Sequence, residues 1–343
     1  MGSGMERTSK NLLVGSFAIL AFLGAGCGLV DTIKARGLAR EGNALYLESD
    51  YRNAIEKYLQ ALELDPDTPN LHLNLGYSYF SIYNPNSESD QDRRAAKEAV
   101  KYFSEHLERH PGDENARIFQ IKTLLTAAPS DPELADRALK TFLRMLEKNP
   151  KDHEARQYLI TLFIDCKRYE DAVKFFEDEL KQKPDDIETM KILAIIADKS
   201  DRIQEAIEWY WRRAEVTKDQ EKKATLFYEI GTYTWNMLHY QPDRATGHAA
   251  IKIADQGIEA CRNAMQLKEK YAEALVYANL LYLKRAVYES EEVGRTWDQA
   301  IAFELRVEAG KILGERKKKA EQAKLEETQK DGTQEDSPDV KPE

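Results

Sequence analysis

Residues 150–184 read PKDHEARQYLITLFIDCKRYEDAVKFFEDELKQKP, a stretch bounded by two prolines that stand 34 positions apart. Its second half, from Tyr169 to Pro184, matches YRNAIEKYLQALELDP from Tyr51 to Pro66 in the places of tyrosine, alanine, a second aromatic residue and proline. Each copy carries apolar residues three or four positions apart, which is the spacing of one face of an α-helix. The pattern predicts one helical unit repeated at a period of about 34 residues.

Further copies flank this stretch over residues 31–220, and each has an alanine followed four positions later by an aromatic residue in its second helix. Two copies carry extra residues between their helices, around 84–92 and 129–132. The five units span about residues 35–68, 69–113, 114–152, 153–186 and 187–220.

The residue before each new first helix is a good N-cap, which is evidence independent of the period. These residues are Thr68, Asp113, Asp152 and Asp186. Their side chains are suited to accept a hydrogen bond from a free backbone N–H in the first turn of a helix. Local capping and the long period thus predict the same register.

With Gly42 in its first helix and Tyr51, Ala54, Tyr58 and Pro66 in its second, the unit resembles the tetratricopeptide repeat. In that family small residues let two helices approach and bulky residues fill the gap between pairs. The resemblance implies an all-α, right-handed superhelical solenoid, here of about seven helix pairs. The composition agrees, since 17 glycines and 11 prolines give few turns for a many-stranded β fold.

Beyond residue 220 the spacing loosens. Residues 221–314 predict a sixth unit with a long inner connection near 241–247, and a seventh that starts near Tyr271 and closes with Ala300 and Phe303. Terminal repeats are often irregular because they cap the solenoid. Residues 315–343 are almost wholly polar, which predicts a charged, disordered tail.

Residues 1–30 predict an export signal or a membrane anchor, because residues 12–30 form an uncharged run behind a short basic head. The run contains LGAGC at 23–27, which resembles the bacterial lipoprotein signal. The resemblance implies that Cys27 is acylated and that the exported chain is anchored to a bacterial membrane facing the periplasm, with the outer membrane favoured. The alternative is an uncleaved transmembrane helix, since the run approaches the hydrocarbon thickness of about 30 Å.

Charge and motifs exclude several function classes. With 60 acidic and 50 basic residues the net charge is -10, which opposes binding to nucleic acid. The sequence holds no phosphate loop, nucleophile elbow or dinucleotide fingerprint, so we expect no enzymatic activity and no cofactor. His106 and His110 are four positions apart but lack a third ligand, so we expect no metal site and interpret both as solvated residues of an outer helix.

In the family that the chain resembles, the first helices line a concave groove. Projecting the repeat register forward gives a partner-binding groove of Asn43, Tyr46, Leu73, Tyr77, Phe80, Lys122, Gln157 and Thr161. This mixture of rings and amides would suit an extended or helical peptide.

A second candidate surface lies in the fifth unit. Trp209, Tyr210 and Trp211 are adjacent, and at about 100° per residue they cannot all face one core. We expect Tyr210 in the core, and Trp209 and Trp211 either in packing between repeats or as an outer hot spot for a partner.

Together these features predict a non-enzymatic protein–protein interaction scaffold, anchored in the bacterial envelope, that binds a peptide or helix of a larger assembly in its groove. Its partners would be other envelope proteins or peptides, and the membrane through an N-terminal lipid or helix. The alternative function is a regulator or activator of an enzyme that synthesises or remodels peptidoglycan.

Overall fold

The computed structural model describes residues 28–87 and 89–334, with side chains through residue 324, and this part of the chain is all-α. The predicted fold class is therefore confirmed. The helices are α1 (28–47), α2 (Tyr51–Leu64), α3 (Leu71–Ile82), α4 (Asp90–Arg109), α5 (Glu114–Ala127), α6 (Pro132–Lys148), α7 (His153–Asp165), α8 (Tyr169–Gln182), α9 (Ile187–Lys199), α10 (Ile203–Val216), α11 (Gln220–Tyr240), α12 (Gly247–Leu267), α13 (Ala272–Tyr288) and α14 (Glu292–Gln334).

The helices form two compact units, one that ends at Arg168 and one that begins at Tyr169. In the first unit consecutive helices pack in pairs, and the first helices α3, α5 and α7 also contact one another in that order. In the second unit α9 packs on α10, and α11, α12, α13 and α14 pack successively. Contact between consecutive first helices is the arrangement that builds a continuous groove from repeated pairs.

Close approach within the pairs depends on glycine facing an aromatic ring. A Cβ atom on Gly42 of α1 would lie 2.6 Å from Cε1 of Tyr58 on α2, and one on Gly76 of α3 would lie 2.7 Å from Cδ1 of Phe103 on α4. Tyr58 and Phe103 are both fully buried. The small and bulky positions of the predicted repeat therefore meet in the first two pairs.

Three of the four predicted N-caps are confirmed. Asp113, Asp152 and Asp186 accept hydrogen bonds from backbone amides of α5, α7 and α9 respectively. The fourth is wrong, because α3 begins at Leu71 behind Asn70, whose φ of 65° is left-handed. Thr68 instead donates its hydroxyl proton to Asp65 Oδ2 at 3.2 Å, inside the turn.

The extra residues lie where the sequence predicts them. In the second pair they follow Ile82, the last residue of α3, and lengthen α4 to 20 residues, against 14 in α2. In the third pair a 3₁₀ turn, Ala128–Ser130, precedes α6, and Asp131 caps that helix. The connection predicted at 241–247 contains a second 3₁₀ turn, Pro242–Arg244.

The last helix differs from its prediction in two respects. Ala300 and Phe303 were expected to close the seventh pair, yet both are exposed, and Ala302 and Ala309 form the packed face. The helix also continues through Gln334 instead of ending near residue 315. Lys, Glu, Ala and Gln dominate this segment and are strong helix formers, and Lys317 and Glu321 pair one turn apart.

The predicted lipid-attachment residue, Cys27, and residues 335–343 of the predicted tail lie outside the described residues. Within residues 28–87 and 89–334, no helix has both the length and the apolar character needed to cross a membrane.

Candidate functional site

The amide pair Asn43 and Asn74 joins α1 to α3 among the predicted groove residues. Asn43 Oδ1 accepts hydrogen bonds from the Tyr58 hydroxyl at 2.8 Å and from Asn74 Nδ2 at 3.0 Å. Burial raises the pKa of Tyr58 to about 12, so its hydroxyl stays a donor at physiological pH. Since both donors engage the oxygen of Asn43, its NH2 group is left to donate to a ligand carbonyl.

A cavity of about 300 Å³ opens at this amide pair. It is lined by Asn43, Tyr46, Leu47, Tyr58, Asn70, Asn74 and Tyr77. Leu47, which the sequence prediction did not include, is one of the most exposed apolar side chains of the described chain. The apolar and amide walls of the cavity are suited to hold one side chain of a peptide together with the adjoining backbone.

Next to this amide cavity lies an aromatic cluster made of Tyr77, Phe80 and Phe119. The Tyr77 and Phe119 ring centroids are 5.0 Å apart and those of Phe80 and Phe119 are 4.9 Å apart, both edge to face. Edge-to-face contact at this distance contributes interaction energy in addition to the energy gained from burying the ring surfaces. Tyr77 also contacts buried Phe103, so the cluster is fixed to the core.

Lys122 and Leu73 lie beside the aromatic cluster. Lys122 is exposed on α5 with Nζ 5.4 Å from the centroid of the Phe80 ring, and Leu73 packs against the same group of residues. A cation held over a ring face keeps its charge while its stem covers apolar surface. The ammonium group can therefore meet an acidic or carbonyl oxygen on a ligand that contacts the rings.

Two more predicted groove residues lie on α7, where Gln157 is exposed and Thr161 is half-buried. The helix α7 that carries them contacts α5, the helix of Lys122. Sequence reasoning missed Ile118, which is exposed on α5 one turn before Lys122. Ile118 precedes Lys122 by four residues, and this spacing in the sequence places both residues on the same face of α5.

The predicted tryptophan surface belongs to the second unit. Trp211 packs against Phe227 with ring centroids 5.2 Å apart, and Tyr210 packs against Tyr233 at 5.1 Å. Trp209 is half-buried, with the Arg212 guanidinium 5.3 Å from its ring centroid. Trp211 thus serves helix packing, and both tryptophans are half-buried.

Two other potentially reactive side chains, His106 and Cys261, are buried in the helix packing. His106 is buried, with Nε2 2.9 Å from Asp113 Oδ2, so the interpretation of His106 as a solvated residue is wrong. Cys261 is buried between helices, and burial raises its pKa to about 12, which keeps the thiol protonated. Among the described residues, no three His, Cys, Asp or Glu side chains gather as metal ligands would.

Two family models of the repeat match parts of this chain. A family model described as TPR repeat matches residues 42–82, and one described as tetratricopeptide repeat matches residues 133–187. The chain contains tetratricopeptide repeats. Tetratricopeptide repeats suggest a protein–protein interaction scaffold, and the first match includes the Asn43–Asn74 pair.

Two proteins found by the comparisons carry the repeat in their descriptions. The TPR repeat-containing protein MJ1428 of Methanocaldococcus jannaschii is 26% identical over 176 residues, which are 50% of this chain and 29% of that protein. The match thus spans less than a third of that relative's length. A crystal structure of a tetratricopeptide repeat protein from Parabacteroides merdae is 15% identical, with 79% of this chain and 99% of that chain covered and a TM-score of 0.31.

Proposed function

We propose that this protein is a non-enzymatic scaffold that binds a peptide or short helix of another protein in the groove of its first unit. The observation that carries the proposal is the adjoining amide cavity and aromatic cluster on the stacked first helices α1, α3 and α5. Side chains of this kind commonly dominate protein interfaces when they lie on a rigid scaffold.

The two parts of the groove perform different tasks in binding. The aromatic cluster takes an apolar side chain of the ligand, because its rings already pack on Phe103 and lose little freedom on binding. The amides of Asn43 and Asn74 bind backbone groups of the ligand and set its direction. Lys122 favours a ligand with an acidic residue beside the apolar one.

The test is co-purification of partners after chemical crosslinking in the cells that make the protein. The first variant is Tyr77→Ala with Phe80→Ala, and the second is Lys122→Glu, which leaves the aromatic packing in place. Lys140→Glu is the matched control, since Lys140 is exposed on the second helix α6. Partners lost from both groove variants and kept by the control support the proposal, whereas the same partners with all three variants contradict it.

We also propose that the scaffold is anchored in a bacterial envelope, facing the periplasm, and favour the outer membrane. The support is the uncharged run at residues 12–30 with Cys27 near its end. Cys27→Ala should leave the chain uncleaved and without lipid. Processing and acylation that do not change in this variant would contradict lipid attachment, and recovery of the wild-type chain in the soluble fraction would contradict anchoring altogether.

A further inference from the structure

The terminal helix α14 carries apolar side chains on two opposite faces. One face packs inward through Asp298, Ala302, Ala309 and Ile312, all buried. The opposite face is exposed and consists of Val293, Trp297, Ala300, Phe303, Val307, Gly310 and Gly314. Val293 is 68% exposed, Trp297 65% and Phe303 57%. A helix that caps a solenoid needs a polar outer face for solubility, so this outer face of α14 indicates a further interface.

The spacing along the outer face is that of a helix-pairing seam. Val293, Ala300, Val307 and Gly314 are seven residues apart, and Phe303 and Gly310 repeat the same interval one turn over. A repeat of seven keeps residues in line along a helix that pairs with another helix. From Val293 to Gly314 the seam is about 33 Å long at about 1.5 Å per residue.

The residues of this seam are complementary to a reversed copy of themselves. Large residues, Phe303 and Val307, lie on the N-terminal side of two glycines, Gly310 and Gly314. Apart from the adjacent backbone of α14 itself, a Cβ atom on either glycine would have no heavy atom of its own chain within 4 Å, so the notch above each is open. Turning a second copy end for end brings Val307 opposite Gly310 and Phe303 opposite Gly314, each twice by symmetry.

The same register pairs opposite charges. Glu304 and Lys311 are exposed beside the seam, and in the reversed pair Glu304 of one copy faces Lys311 of the other. In a parallel pair the corresponding flanking contact would set Arg306 against Lys311 of the other copy, which repel each other. We propose that a second copy of this chain docks antiparallel on the outer face of α14.

The Arg306 guanidinium lies 5.3 Å from the centroid of the Phe303 ring in the single chain. In the pair Arg306 flanks Leu313 of the second copy, so its stem covers apolar surface while its charge stays in water. Trp297 faces Lys318 of the second copy, which places an ammonium group near an indole ring. One symmetric partner thus covers the seam from Phe303 to Gly314 together with Trp297 beside it.

The test is the molecular mass of the full-length chain by sedimentation equilibrium in a density-matched non-ionic detergent. Wild type is compared with Glu304→Lys, Lys311→Glu and the double exchange. Each single change replaces two attractive contacts by two repulsive ones and should weaken the dimer about tenfold, whereas the double exchange restores attraction and should return the dissociation constant to within about twofold of wild type.

Glu308→Lys is the matched control, because Glu308 is exposed on α14 about a quarter turn away from the seam. A second variant, Phe303→Ala, leaves all charges unchanged and should also weaken the dimer. A monomeric wild-type chain at about 50 μM overturns the proposal, since a pairing function needs affinity in the micromolar range. A dimer that both single exchanges leave unchanged, or that the double exchange fails to restore, also overturns it.

Discussion

The ring of Tyr58 occupies the space that a side chain on residue 42 would need. Cε1 of Tyr58 lies 2.6 Å from the place of a Cβ atom on Gly42, and the Tyr58 hydroxyl donates to Asn43 on the same helix. One ring therefore sets both the approach of α1 to α2 and the orientation of an amide in the proposed binding groove.

Gly42→Ala should destabilise the first unit, because the ring of Tyr58 is fully buried and has little room to move. We expect the free energy of unfolding to fall by about 1–3 kcal/mol, the usual cost of overpacking a core. Chemical denaturation followed by circular dichroism measures the change.

Gly37→Ala is the control on the same helix, where an added Cβ atom would have no heavy atom within 4 Å apart from the adjacent backbone of the helix itself. An exposed alanine in place of a helical glycine should raise stability by about 0.5–1 kcal/mol. Equal effects of the two substitutions would mean that the contact between Gly42 and Tyr58 does not limit the approach of the helices.

Asp113 gives a pH-dependent contribution to the first unit. It accepts from the Ala116 amide at 3.0 Å and from buried His106 at 2.9 Å. The bond from Ala116, with that from His106, lowers the pKa of Asp113 below its usual value. The carboxylate therefore stabilises the fold fully above the ordinary Asp pKa of about 3.9, and this contribution is lost as the pH falls through the folded-state value.

Asp113→Ala should lower the free energy of unfolding by about 1–2 kcal/mol near neutral pH, since a cap is lost and His106 loses an acceptor. Asp113→Asn isolates the charge. The free energy of unfolding of Asp113→Asn should be lower than that of wild type at about pH 5, and this difference should shrink at about pH 3. A difference in free energy of unfolding that grows as the pH falls would contradict a lowered pKa of Asp113 in the folded protein.

Arg285 should stabilise the contact between α13 and α14 through Asp298. Its guanidinium Nε donates to Asp298 Oδ2 at 2.9 Å, and the Asp298 side chain is buried. Arg285→Met leaves this carboxylate buried without its cation, so the free energy of unfolding should fall by about 3 kcal/mol.

Arg316→Met is the comparison, because its ion pair with Glu273 is at the surface and should contribute less than about 1 kcal/mol. The double variant Arg285→Met with Asp298→Leu should recover much of the loss, as an apolar pair has no charge to leave unpaired. If that double variant is less stable than Arg285→Met alone, desolvation of Asp298 is not the cause.

The regular part of the fold was predictable because helix caps and the period of about 34 residues indicate the same helix positions there. The period through Tyr51 and Tyr169 locates α2 and α8, and the aspartates at positions 113, 152 and 186 cap the helices that follow. The start of α3 was missed because Asp65 holds Thr68 in a turn, which leaves Asn70 to begin the helix.

The last pair was predicted in the wrong register because its irregular connection removes the fixed period. Ala300 was expected at the packed face, where the structure has Ala302. A shift of two residues turns a helix by about 200°, so the small error moved the apolar face from one side to the other.

The repeat register selected residues that the structure also places close to one another. Asn43 and Tyr77 line one cavity and Lys122 lies over the Phe80 ring, while the binding of a partner by these residues stays a prediction. Leu47 and Ile118 were missed because exposed apolar residues resemble core residues in a pattern of apolar spacing.

The most direct test of groove binding is site-specific photocrosslinking in the cells that make the protein. A benzophenone side chain at position 122 lies in the proposed groove, and one at position 140 lies on α6 as the control. Mass spectrometry of the adducts should find one set of proteins captured from position 122 and absent from position 140. The same adducts at both positions, or none at position 122 where position 140 gives some, would contradict binding in the groove.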